Sequence, residues 1–163
     1  MDRKYSSRRS IFHPVPLPDG QEQRGGAGFA GKVLAVENDD LHSMVQLDLK
    51  SAYPAEAGLK KLERKAVYDR KKKVITISDV CEFDKPRTYE LPLPSFEDFK
   101  EILPGVWTAG GLRIEIKGTG GELAFRVEKP EVKLRTGKMF SMLVCKFKEK
   151  VQTCGMTLTI TPL

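Results

Sequence analysis

The sequence predicts an all-β protein, an antiparallel multi-stranded β-sandwich with at most one short helix. Three observations predict it. From about Ala30 onward, apolar and polar residues alternate with a period of two through most of the chain. The alternating runs are short and are separated by Gly, Pro and charged turns, as in antiparallel sheets. Only one stretch, Ser95 to about Ile102, carries the marks of a helix.

Residues 1–26 read as an extended N-terminal segment, because Pro14, Pro16 and Pro18 fix φ and bias their neighbours away from helix. Such a segment is expected to run across a surface. Gly25, Gly26 and Gly28 loosen the chain before the sandwich domain, which takes residues 27–163. Val33 to Val36 form a strand that turns at Asn38-Asp39-Asp40, and Val45, Leu47 and Leu49 alternate with polar residues in the next. A strand through Ala66-Val67-Tyr68 follows, then one from Val74 to Phe83. The basic run Arg70-Lys71-Lys72-Lys73 between them suits a hairpin tip that keeps its charges in water.

Pro92, Pro94 and Pro104 bracket the helix expected over 95–102. There Ser95 would cap, Glu97 and Asp98 suit the positive end, and Phe96 and Phe99 share a face. Leu112, Ile114 and Ile116 then alternate with Arg113, Glu115 and Lys117, and Gly118-Thr119-Gly120-Gly121 turns the chain back into Leu123, Phe125 and Val127. Val132 with Leu134, Phe140 to Phe147, and Met156 to Ile160 complete the strands.

At 163 residues the chain can build one core without metal or disulfide staples. Its 40% hydrophobic and 31% charged residues describe an ordinary globular domain. The net charge of +6 favours acidic partners, or serves solubility alone. No apolar run is long enough to span a membrane, and Met1-Asp2-Arg3-Lys4-Tyr5 lacks the apolar stretch of a secretory signal, so no membrane partner is expected and localisation is left open. The basic residues are not interleaved with aromatics in a nucleic-acid-binding pattern, so no nucleic-acid partner is expected. Cys81, Cys145 and Cys154 each fall in or beside an apolar strand pattern and are expected to be buried free thiols. Asp39, Asp40 and His42 are expected to be solvated turn residues, not metal ligands, and no metal or cofactor is anticipated.

Two stretches carry a family resemblance. One is His13-Pro14-Val15-Pro16-Leu17-Pro18-Asp19-Gly20-Gln21-Glu22-Gln23. The other is Leu47-Asp48-Leu49-Lys50-Ser51-Ala52-Tyr53-Pro54, which closes one strand and is followed by Arg64 before the next; Asp79 lies late in the Val- and Ile-rich strand beyond. In order and spacing these resemble the β-sandwich half of the heparinase II/III-like polysaccharide lyases. The resemblance implies an N-terminal helical toroid as part of the same polypeptide, absent from this sequence, with an acidic polysaccharide bound in the cleft between toroid and sandwich. It implies β-elimination on uronic-acid-containing chains such as heparin and heparan sulfate, with most catalytic groups on the toroid and one histidine from the start of the sandwich.

That histidine corresponds to His13, whose imidazole suits proton transfer or pairing with a uronate. Pro14 stands where the family has an asparagine, which removes a side-chain amide and a backbone N–H. Val15 interrupts the H-x-H pattern with which some members bind metal. Arg8, Arg9 and Arg24 flank His13 and, with Gln23, make the basic patch best suited to sulfate and carboxylate. Tyr53 is either a platform for a sugar ring or a closure of the sandwich edge with its hydroxyl on a backbone partner. Trp107, Tyr68 and Tyr89 are expected to pack. The fragment alone is expected to have little or no lyase activity. The alternatives are a free-standing carbohydrate-binding module, or a structural interaction domain with no enzymatic activity.

Overall fold

A computed structural model describes residues 9–130 and 139–163. Arg8 and the strand expected at Val132 and Leu134 lie outside the described residues. Among the described residues twelve strands form in order: β1 Leu17–Pro18, β2 Lys32–Asn38, β3 His42–Asp48, β4 Leu59–Asp69, β5 Val74–Arg87, β6 Tyr89–Ser95, β7 Lys100–Leu103, β8 Val106–Ala109, β9 Leu112–Thr119, β10 Leu123–Glu128, β11 Ser141–Phe147 and β12 Val151–Pro162. Every pairing is antiparallel. One sheet runs β1-β6-β11-β10 and the other β2-β3-β4-β5-β12-β9-β8-β7, so the chain is an all-β sandwich of unequal layers.

The turns follow local chemistry. Asp39 accepts the amides of Leu41 and His42 at 2.7 and 2.8 Å, which bends β2 into β3. Asp69 accepts the Lys72 amide at 2.8 Å at the expected basic tip between β4 and β5, and Lys73 there takes φ 55°. Gly120 has φ 92° in the β9–β10 turn, and a Cβ there would run into the Thr153 carbonyl.

The core lies between the sheets. Leu62, Phe83, Leu91, Leu143, Met156 and Leu158 are all buried in one cluster, and Trp107 packs in it against Phe125 with ring centroids 5.8 Å apart. All three cysteines are buried and free, with Cys81 directly opposite Cys154 on neighbouring strands. Their mutual contact and then burial push the Cys81 thiol pKa up, and burial pushes that of Cys145 up to about 12.

Two expectations are corrected. No α-helix forms over 95–102: Ser95 closes β6, and residues from Lys100 form β7. The Ser95 hydroxyl does accept the Glu97 amide at 3.0 Å, but as a local turn that is not continued into a helix. Phe99 reaches the core from this turn, whereas Phe96 is exposed, so the two rings do not share a buried face. Pro92 and Pro94 lie within β6, where β1 is too short to pair beyond Glu90 and leaves that edge open to residues lacking an N–H. The second correction concerns the proline-rich segment. It does not merely cross a surface, because Pro16, Leu17 and Pro18 are buried and β1 pairs with β6 as part of the smaller sheet.

Candidate functional site

Residues 10–24 form a strap bent over the edge of the sandwich, and the fold secures it at successive points. At its start Ser10–Phe12 make a single 3-10 turn, with the His13 amide donating to the Ser10 carbonyl at 3.0 Å and the Val15 amide to the His13 carbonyl at 2.7 Å. The buried Ser10 hydroxyl accepts the Gln23 amide at 3.0 Å, which closes the strap on itself. Arg9 adds two bonds to Glu22 at 2.9 and 2.5 Å.

Beneath the strap lies a charged group that strand register assembles. Side chains two apart share a face, so Arg64 points inward with Leu62 and Ala66, and Asp79 with Ile77 and Cys81. Arg64 and Asp79 are direct cross-strand partners. Nε and Nη2 of Arg64 donate to the two Asp79 carboxylate oxygens at 2.6 and 2.7 Å. The Tyr89 hydroxyl donates to Asp79 at 2.8 Å, and Nη1 of Arg64 donates to the Pro14 carbonyl at 2.6 Å. Asp79 is only 2% exposed. Burying such a pair carries a desolvation cost, tolerable here because the bidentate fork and the hydroxyl satisfy both carboxylate oxygens. Burial opposes the Arg64 charge, but the Asp79 carboxylate outweighs it and the guanidinium pKa rises. Burial, followed by the Asp79 charge, lifts the Tyr89 phenol well above its ordinary range.

Tyr53 sits next to this group. Its ring is buried and its hydroxyl donates to the Pro16 carbonyl at 2.6 Å; burial pushes its pKa up. The strap's far end is held by Arg87, which reaches Asp19 at 2.6 Å, Asp84 at 2.7 Å and the Glu56 carbonyl at 3.1 Å. Gly58 makes room for it: with φ 62°, a Cβ at that position would collide with the Arg87 guanidinium.

The sequence-derived candidates therefore meet in part. His13, Gln23 and Arg24 share the strap and Arg9 adjoins its start, with Arg9, His13 and Arg24 exposed. The Arg24 amide donates to the Ala52 carbonyl at 3.0 Å, and its guanidinium lies 3.8 Å from Glu56 and 5.9 Å from the Phe29 ring centroid. Tyr53 belongs to the site as an anchor: its buried ring presents no face for a sugar, and the backbone-bonded alternative is the one its geometry matches. Arg64, Asp79 and Arg87 were not among the candidates. The signal for the first two was a charge in the inward frame of each of two apolar-alternating strands. Elsewhere, His42 lies 3.2 Å from Asp39 and 3.7 Å from Glu37. Among the described residues no group of three or more His, Cys, Asp or Glu is arranged to hold a metal.

No protein-family model and no curated protein matches the sequence at a significant level. Solved structures do match. A heparinase III gene product aligns with a TM-score of 0.75 at 11% identity, over 96% of this chain and 24% of its own. A second heparinase III aligns with a TM-score of 0.67 at 15% identity, over 93% and 23%. Heparan sulfate lyase HepC from Pedobacter heparinus aligns with a TM-score of 0.65 at 14% identity, over 95% and 24%. In fold, the chain is similar to a portion spanning about a quarter of the length of these heparinase III and heparan sulfate lyase structures.

Proposed function

We propose that this chain is the C-terminal β-sandwich domain of a heparinase II/III-like polysaccharide lyase, acting on a uronic-acid-containing acidic polysaccharide together with a helical toroid of the same polypeptide. One combined observation supports this most: the fold likeness spans nearly the whole chain but a quarter of the neighbours, and the strap carrying His13 is tied down at the sandwich edge. In the reaction, a base takes the proton beside the uronate carboxylate, a C=C bond forms, and the glycosidic C–O bond breaks with protonation of the departing oxygen. This chain would supply His13, as a proton donor or as a partner for the carboxylate, and the strap's arginines to attract sulfate and carboxylate. The remaining groups would come from the toroid.

The larger sheet offers the toroid a seat. Its eight strands extend past the four-stranded sheet, and on β2 Val33 and Val36 are 58% and 67% exposed. Val36 lines an open apolar groove of about 430 Å³ with Val45, Ala66, Tyr68 and Ile75 among others. A free-standing sugar-binding module is less supported, because Trp107 and Tyr53, the rings it would offer to a sugar, are both buried.

The test uses the chain joined to its helical half. His13→Ala should lower kcat for eliminative cleavage of heparan sulfate by about 100-fold or more at an unchanged melting temperature. Turnover close to that of the unaltered polypeptide would remove His13 from the mechanism, and cleavage by the sandwich alone would overturn the division of labour.

A further inference from the structure

We propose that Arg64 is the positioning residue for His13: its guanidinium, locked on the buried Asp79, holds the Pro14 carbonyl and so fixes where the neighbouring histidine sits. The consequence for turnover rests on the lyase reading above; the positioning itself does not.

Three features carry the inference. First, the Pro14 carbonyl belongs to the residue immediately after His13, and Arg64 reaches it at 2.6 Å from β4, fifty residues away. Only the planar His13–Pro14 peptide and a proline with fixed φ lie between that carbonyl and the His13 Cα, so holding the carbonyl restricts the histidine. Second, Arg64 is itself held rigidly. Two of its nitrogens are spent on Asp79, and Tyr89 fixes Asp79 from the other side, so the third nitrogen points in one direction only. Third, the arrangement is expensive for stability alone. A buried ion pair can often be replaced by apolar residues of similar size without loss, so its presence beneath an exposed histidine invites another use. The chain uses the pair's spare donor to bind the strap.

Stability and positioning separate by choice of variant. Arg64→Lys keeps the charge beside Asp79 but lacks the planar fork needed to reach both carboxylate oxygens and the Pro14 carbonyl together. The triple variant Arg64→Met, Asp79→Leu, Tyr89→Phe removes every member of the buried group at once, leaving no orphaned charge or hydroxyl in the core. In both, the His13 and Val15 amides, bonded in the native chain to the Ser10 and His13 carbonyls, should exchange with solvent about tenfold faster or more. The His13 ring signal should shift or broaden, while the amides of β11 keep native protection. In the complete polypeptide Arg64→Lys should lower kcat with little change in KM.

Native exchange at His13 and Val15 in the folded triple variant would overturn the proposal, as would full recovery of the native ring signal in Arg64→Lys. Should the triple variant not fold, Arg64→Lys decides alone. Faster exchange at His13 with no eliminative cleavage by the unaltered complete polypeptide would uphold the positioning and overturn the lyase reading.

Discussion

Two regions of the larger sheet's inner face treat their side chains in opposite ways. Over β4 and β5, near Arg64 and Asp79, charges point inward and every polar atom of the pair is engaged. Along β2 and at the tip of the β4–β5 hairpin, apolar side chains point to the same side of the sheet and are left in water: Val33, Val36, Tyr68 and Ile75 are all exposed. In a self-sufficient sandwich the assignment would be reversed. The difference teaches where the chain satisfies its own groups and where it leaves apolar surface uncovered. A buried, fully satisfied charge marks a tie completed within the chain, and the uncovered apolar edge is where the proposed helical half would sit.

The comparison breaks most directly at Asp79. Asp79→Ala strands the Arg64 guanidinium in the core, and urea unfolding should show a loss of about 3–5 kcal/mol. A loss near that of an exposed substitution would mean that the pair is far wetter than its burial implies.

A smaller, pH-dependent effect is expected at the other clamp. The Arg87 guanidinium, by hydrogen bond and charge, lowers the Asp84 carboxyl from 3.8 to about 2. A carboxylate whose pKa is depressed on folding stabilises the native state above its unfolded value, and that stabilisation is lost as pH falls through the folded value. The urea midpoint should therefore drop between about pH 4 and pH 2, and Asp84→Asn should flatten that part of the profile. An unchanged profile in Asp84→Asn would take Asp84 out of the clamp's acid sensitivity.

The smallest effect on stability is expected at the open edge. Val36→Ser should change unfolding free energy by no more than about 0.5 kcal/mol, because the residue is already solvated. The same change should weaken association with the helical half. A large loss of stability in the isolated chain would show that β2 is completed internally.

Much of this was legible in the sequence, and the failures have physical causes. Strands alternate visibly where one face is wet, so β3, β9 and β10 announce themselves. The turn at Asn38-Asp39-Asp40 and the basic tip at Arg70–Lys73 need only local chemistry. The stretch 95–102 misled because a serine followed by acidic residues caps a helix and makes a short turn equally well. What decided between them was long-range, the docking of Phe99 in the core and the pairing of β7 with β8. Prolines suggested an exposed segment, yet the Pro16 and Pro18 rings of the strap are apolar and buried, with the Tyr53 hydroxyl donating to the Pro16 carbonyl. Arg64 and Asp79 could be read as charges in the inward frame, but their pairing depends on the register of β4 on β5, which no local pattern states. Arg64 and Asp79 stood among the residues that carry the resemblance, but neither resemblance nor local pattern stated that Arg64 would reach the Pro14 carbonyl beside His13.

Amide hydrogen exchange along β2 to β4, with the chain alone and then joined to the proposed helical half, measures the central claim most directly. Lys32–Asn38 and the neighbouring Tyr68 end of β4 should gain protection on joining, with Ser141–Phe147 at the core unaltered. Equal exchange at the β2 edge in both forms would contradict the account, since the exposed valines would then have no partner to receive.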